Sequence, residues 1–299
     1  MLIPPYIKPG DKIGIVSTAS IIDRQVVEPA IHLLESMGYQ VVAGNNLYAR
    51  HHQFAGSDAE RSFDLQSMLD DPDLNAIICS RGGYGSIRTL EKINWKQFLK
   101  HPKWIVGFSD ITVLHAQLNQ LGIASVHGVM PRFFLHNNET TESFRSLMDA
   151  LTGQKLSYST GLSGYNRPGI ATGQLVGGNL SVLYSLRGTP YDIDTAGKIL
   201  FIEDLAEYLY HLDRMMMNLK TGGKLASLAG LVVGGFSNMK DNDTPFGKTV
   251  EEIILEAVQH FDYPVAFGFP AGHQEENFAL KAGMPAMLKV IGDKAILQQ

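Results

Sequence analysis

Three short segments carry residue types suited to acyl transfer, and each follows an apolar run. Ser109 lies in Trp104-Ile-Val-Gly-Phe-Ser-Asp-Ile-Thr-Val-Leu-His115, after Trp104–Phe108 and before a helical pattern over Asp110–Gln120. A strand-to-helix turn of this kind holds a hydroxyl at a sheet edge. It also leaves the first N–H groups of the helix without intrahelical partners. Such amides can stabilise the oxyanion formed when a serine attacks a carbonyl. Serine and aspartate are equally ordinary helix caps. The motif also departs from Gly-x-Ser-x-Gly, because Ile111 stands in the last position. Local sequence leaves Ser109 as either a nucleophile or a cap.

The loop Arg81-Gly-Gly-Tyr-Gly-Ser86 follows a second apolar run. Its glycines permit positive φ and close backbone approach, so its N–H groups can be aimed at an anion. It lacks the Lys-Ser/Thr ending of a P-loop and the spacing of a dinucleotide fingerprint. A plain tight turn is the other reading. Phe201-Ile-Glu-Asp-Leu205 places two carboxylates at the end of a third apolar run. They are solvated charges at a strand end, or one of them orients a histidine.

Ten histidines are present, and most have undemanding explanations. His51 and His52 sit in a polar loop, His101 precedes a proline, and His211 belongs to a charged helix. His115 is expected to be a packed or solvent-facing residue on the helix after Ser109, and His127 to line the same cleft. His273 differs, because Gly268-Phe-Pro-Ala-Gly-His273 is a Gly/Pro-punctuated loop that can hold an imidazole in one place. With no His-Glu-x-x-His and no Cys/His cluster, neither a metal nor another cofactor is expected.

The elements that must position these residues alternate through the first half. Lys12–Ser17, Gln40–Ala43, Ala76–Ser80 and Trp104–Phe108 read as buried strands. A helix capped by Asp23 carries Val26, Val27, Ala30, Ile31, Leu34 and Met37 at helical spacing. Ser57-Asp-Ala-Glu60 is a capping box opening a helix with Phe63, Leu65, Met68 and Leu69. Strand–helix alternation implies a mainly parallel sheet covered on both faces, with sites outside the strands' carboxyl ends. That rule points to the loops 81–86 and 107–110. After about residue 155 the chain becomes rich in Gly, Ser and Tyr, and then in short strands. The expected division is an N-terminal α/β domain over 1–155, a linker over 156–169, and a smaller β-rich domain over 170–299.

Bulk properties narrow the function. The chain has 299 residues and 44% hydrophobic residues, enough for two packed domains. Its net charge of −5 is spread along the sequence, which argues against nucleic acid or an anionic membrane as the main partner. The single cysteine, Cys79, cannot form an internal disulfide, and the first ten residues lack secretory-signal features. A cytoplasmic location is expected.

Taken together, these segments resemble the LD-carboxypeptidases, or muramoyltetrapeptide carboxypeptidases, of serine peptidase family S66. The resemblance rests on Phe54-Ala-Gly-Ser-Asp-Ala-Glu-Arg61 with Asp64-Leu65, Arg81-Gly-Gly-Tyr-Gly85, Gly107-Phe-Ser-Asp110 and Gly268-Phe-Pro-Ala-Gly-His273. Gly177-Gly-Asn-Leu180 and Leu200-Phe-Ile-Glu-Asp204 follow in the family's order. It implies a flavodoxin-like N-terminal domain, a smaller β-rich C-terminal domain and a homodimer. It further implies Ser109 as nucleophile, Glu203 as orienting acid and His273 as general base, with the Gly83 and Asp110 amides as oxyanion hole. Arg81, Gly82, Tyr84 and Asn179 would contact the substrate, a murein tetrapeptide losing its terminal D-alanine during cytosolic wall recycling. Arg81, Arg132 and Arg187 are candidates for binding the substrate carboxylate. Two alternatives stand beside this: a related hydrolase of aminoacyl-sulfamoyl-adenylates conferring microcin-type immunity, and a non-catalytic anion- or nucleotide-binding module using the 81–86 loop.

Overall fold

The computed structural model describes residues 1–299 and falls into two compact units. One comprises Met1–Gln154 with Phe278–Lys281, and the other Lys155–Asn277 with Ala282–Gln299.

Unbroken apolar runs build the first unit's sheet. The strands are β1 (Lys12–Val16), β2 (Gln40–Ala43), β3 (Leu74–Cys79), β4 (Trp104–Gly107) and β5 (Ser125–His127). Ile13–Val16, Ala76–Cys79 and Trp104–Gly107 are buried throughout, as expected where both faces of a sheet are covered. All pairings among these five strands are parallel, in the order β2-β1-β3-β4-β5. This is the flavodoxin-like order, with its topological switch between β1 and β3. A late strand, β13 (Leu280–Ala282), lies beside β5, and β6 (Leu135–His136) and β7 (Glu139–Thr140) form a separate small hairpin.

The helices of this unit are α1 (Arg24–Ser36), α2 (Asp58–Asp70), α3 (Ser86–Leu90), α4 (Thr112–Gln120) and α5 (Glu142–Leu151). The capping box at Ser57 and Glu60 is present, and Leu65, Met68 and Leu69 are buried. Phe63, grouped with them by sequence, is 59% exposed. Asp23 occupies the cap position of α1 but makes no capping bond, because its carboxylate pairs with Arg50. Buried Arg61 joins α2 to the loop ahead of it, donating to Gly56 O at 2.6 Å and to the Asp58 carboxylate. Arg88 on α3 grips the same carboxylate, and with Arg61 it holds Asp58 down to about 2. Helix α3, which follows the glycine loop, is thereby tied to α2.

The second unit is built on one mixed sheet. Its strands are β8 (Ser157–Ser159), β9 (Gly169–Asn179), β10 (Ile199–Leu205), β11 (Gly230–Ser237), β12 (Val265–Ala266), β14 (Pro285–Ile291) and β15 (Lys294–Gln298). The order is β12-β11-β10-β9-β14-β15-β8, parallel from β9 to β12 and antiparallel through β14, β15 and β8. Strand β8 falls inside the stretch 156–169 expected to be a linker, because its residues add to the free edge of β15. The helices are α6 (Leu180–Ser185), α7 (Leu209–Thr221) and α8 (Val250–Val258).

Gly177 of β9 lies opposite Phe201 of β10 at φ +124, where an added Cβ would stand 1.9 Å from Phe201 O. Gly177→Ala must therefore push β10 away as well as strain the backbone. Gly188, at φ +74, has nothing within 4 Å of such a Cβ. The expected losses of stability are about 3 kcal/mol or more for Gly177→Ala and about 1 kcal/mol for Gly188→Ala. Thermal melts of both variants check this, and equal shifts would contradict the packing described.

Candidate active site

In the first unit, three loops meet at the carboxyl ends of β1, β3 and β4. Ser109 opens a short 3-10 turn, Ser109–Ile111, ahead of α4. Its φ is +64, a left-handed conformation that a residue with a Cβ adopts at a cost of roughly 1–2 kcal/mol. A helix cap is extended instead, and here Phe108 and Ile111 hold the positions preceding the 3-10 turn and α4. Ser109 is therefore not the cap that its sequence also allowed. It is a half-buried serine on a strained turn.

The glycine loop packs directly on this turn. A Cβ added to Gly82 would lie 3.0 Å from Ser109 Cβ, 3.1 Å from its Oγ and 3.4 Å from the Asp110 nitrogen. Gly83 has φ +108, and a Cβ there would run into Ser20 Oγ at 2.1 Å. Ser20 N in turn donates to Gly82 O at 3.3 Å. The Gly83 and Asp110 amides are not used by the hydrogen bonds of the surrounding turns. The Asp110 side chain points to structure: its buried carboxylate accepts from Ser86 N at 2.8 Å, fixing the start of α3 to the serine turn. Burial raises the pKa of this carboxylate, while the Ser86 amide and Arg61 oppose the shift. At the rim, exposed Arg81 donates to Ile21 O at 2.8 Å, and half-exposed Tyr84 stands beside Phe54.

The second unit joins the two other singled-out residues. Glu203, on β10, is fully buried and its Oε2 accepts from His273 Nδ1 at 2.7 Å and from His273 N at 3.1 Å. An ionised carboxylate only accepts, so the neutral ring carries its proton on Nδ1 and Nε2 is its basic nitrogen. The β10–β11 register slips between Ile202 and Asp204, next to Gly234 and Gly235, an irregularity of the sort that re-aims side chains. The 267–273 loop is held to β11 by Phe269 N donating to Val233 O and Gly235 N donating to Ala271 O. Gly272, at φ +103, leaves room that a Cβ would take 2.7 Å from Glu203 Oε2, and its N donates to buried Asn277 Oδ1 at 2.8 Å.

Asp204 faces a different task from its neighbour. It accepts from Asn179 Nδ2, Ser181 N and Leu205 N, and burial, with Glu203 adding to it, raises its pKa to about 6. Asn179 is buried as the cap of α6, its Oδ1 accepting from Val182 N and Ser181 Oγ. Arg187 is engaged by Asp192 and Asn218, whereas Arg132 is exposed on the 3-10 turn Pro131–Phe133.

Models of the LD-carboxypeptidase N-terminal and C-terminal domains match residues 13–128 and 172–288. The chain belongs to this family, peptidase family S66. A probable murein peptide carboxypeptidase of Bacillus subtilis is 35% identical, over 99% of this chain and 94% of its own. The crystal structure of muramoyltetrapeptide carboxypeptidase from Oxalobacter formigenes superposes with a TM-score of 0.88 at 30% identity, covering 96% of this chain and 98% of that one. The microcin C7 self immunity protein MccF, solved with aspartyl sulfamoyl adenosine, shares the fold: TM-score 0.88, 19% identity, 100% of this chain and 99% of that one.

Sequence reasoning missed several supports. His115, expected to be packed or solvent-facing, is buried, with Nε2 2.8 Å from Gly107 O and Nδ1 2.8 Å from Ser125 Oγ. The carbonyl oxygen must accept, so Nε2 carries the proton and Ser125 donates to Nδ1. The ring thus pins the strand end two residues before Ser109. Its position on α4 gave no hint, because Gly107 and Ser125 become its neighbours only once β4 and β5 pair. Burial lowers the His115 pKa from 6.5 to about 4. As pH falls from 6.5 toward 4, the unfolded chain takes up a proton that the folded chain refuses. Stability from the neutral ring is thus complete above pH 6.5 and withdrawn below it. Denaturant titrations at pH 7 and pH 5 should show a loss of about 1–2 kcal/mol more in the wild type than in His115→Gln. Equal losses in both proteins would contradict a buried neutral ring.

Proposed function

We propose that the protein is a serine carboxypeptidase that releases the C-terminal D-alanine of murein tetrapeptides. Ser109 is the nucleophile, His273 the general base and Glu203 the acid that fixes the imidazole. The observation that carries the reading is the hydrogen bond from His273 Nδ1 to buried Glu203, which makes Nε2 the proton acceptor. His273 takes the Ser109 hydroxyl proton as Oγ attacks the carbonyl preceding D-alanine. The Gly83 and Asp110 amides receive the oxyanion. Collapse of the tetrahedral intermediate passes the proton from His273 to the leaving nitrogen, and D-alanine departs. Water, deprotonated by the same imidazole, then hydrolyses the acyl-enzyme.

The choice of a murein peptide is supported by the names borne by the Bacillus and Oxalobacter relatives. The stretch between Gly178 and Glu203 is short and contains no tryptophan, which favours a peptide over an adenylate with a base to stack. A cytosolic enzyme acting as a homodimer in the recycling of wall peptides completes the proposal. No helix is long and apolar enough to cross a membrane.

Ser109→Ala should abolish D-alanine release with its melting temperature held within a few degrees. Glu203→Gln should lower kcat by about a thousandfold or more, because an amide does not impose the Nδ1–H tautomer. Amino-acid analysis of D-alanine released from purified tetrapeptide is the readout. Retained turnover by Ser109→Ala would overturn the assignment.

A further inference from the structure

The reaction gives the Asp110 amide a task but leaves its buried carboxylate without one. The carboxylate Oδ2 accepts from Ser86 N at 2.8 Å, and the Gly85 amide, the Ser86 hydroxyl and Arg61 all favour its ionised form. It caps neither of the helical segments it adjoins, whose cap positions are Phe108 and Ile111. The amides it meets open α3, whose own cap, Gly85, has no side chain to offer. The cap of α3 is thus drawn from the turn that carries Ser109.

This bond grips the glycine loop just beyond Gly83. Tyr84 alone separates Gly83 from Gly85, and both glycines have positive φ, +108 and +138. Ahead of Gly83, Ser20 N donates to Gly82 O at 3.3 Å, and Arg81 Nη1 donates to Ile21 O at 2.8 Å. Beyond the grip, Ser86 Oγ lies 2.9 Å from Thr18 Oγ1, and Thr89 Oγ1 donates to Thr18 O at 3.1 Å. The loop after β1 therefore backs the glycine loop on both sides of Gly83, and Asp110 ties it to the serine turn. Asp110 offers one oxyanion amide from its backbone and holds with its side chain the loop that offers the other. Donors aimed at a developing charge lose about a hundredfold in rate when misplaced by about an ångström, so such a tie has a kinetic consequence.

We propose that the Asp110 carboxylate is the positioning residue of the oxyanion hole, keeping the Gly83 amide in register with the Asp110 amide for the tetrahedral intermediate. The assignment rests on the serine-hydrolase reading and deepens it, because it names what holds the two amides together.

Asp110→Asn keeps the shape of the side chain and Asp110→Ala removes it, and both retain the backbone amide. With tetrapeptide, kcat for D-alanine release should fall about tenfold in the first and about a hundredfold or more in the second. The tetrapeptide dissociation constant, measured by calorimetry in a Ser109→Ala background, should stay within about threefold, because the tie serves the transition state. The most direct readout is a pair of tripeptidyl methyl esters, one with an ordinary scissile carbonyl and one with sulfur in place of its oxygen. Sulfur is larger and a weaker hydrogen-bond acceptor, so an intact hole favours the oxygen ester, by about tenfold or more in the wild type. That ratio should shrink toward one in Asp110→Ala, with Asp110→Asn between. A ratio unchanged in Asp110→Ala, or absent in the wild type, overturns the proposal, since a displaced serine or a loosened fold slows both esters alike. An Asp110→Asn protein that fails to fold overturns it too, by making the carboxylate a stabilising group. A wild type that cleaves the oxygen ester but releases no D-alanine overturns the peptide substrate and leaves the ester ratio to judge Asp110. No cleavage of any of the three overturns the serine-hydrolase reading and this assignment with it.

Discussion

A carboxylate taken wholly out of water must be met by hydrogen-bond donors, and Glu203 Oε2 finds two on a single residue, while its buried Oε1 has none. That requirement explains much of the second unit. The glycine at 272 admits the acid's side chain, and Asn277 holds the Gly272 amide. The bonds between the 267–273 loop and β11 keep the imidazole beside β10. Removing the acid would free His273 to rotate and to exchange tautomers. Removing the histidine would strand a charge at the end of a buried strand, the costlier error.

The first unit meets a different constraint, strain at a turn. Ser109 with φ +64 persists only because the neighbouring structure over-determines it. His115 fixes the Gly107 carbonyl before the turn, the Asp110 carboxylate fixes the residue after it to α3, and Arg61 with Arg88 anchors α3 to α2. Gly82 leaves space for the hydroxyl against the loop. Polar side chains that look like ordinary core or surface residues thus hold a single backbone angle. An ideal turn would be more stable and would not present the serine in this way.

What could be read from sequence follows from what is local. The buried runs, the capping box at Ser57, and the glycine, serine and glutamate segments at strand ends are all set by neighbours a few residues away. Choosing Glu203 over Asp204 was not possible from composition. Adjacent strand residues face opposite ways, and the partner that separates them lies seventy residues on, at His273. For the same reason the role of His115 was hidden until β4 lay beside β5, and β8 until β15 offered an edge. The two readings of Ser109 differed only in a backbone angle, which no residue type specifies.

The account turns on the protonation site of His273. Nitrogen NMR of histidine-labelled protein at neutral pH, assigned by comparison with a His273→Gln variant, reads this directly. The account predicts a neutral ring protonated at Nδ1, with a strongly deshielded Nδ1 proton that disappears in Glu203→Gln. A ring protonated at Nε2, or a proton signal indifferent to the loss of Glu203, would contradict it.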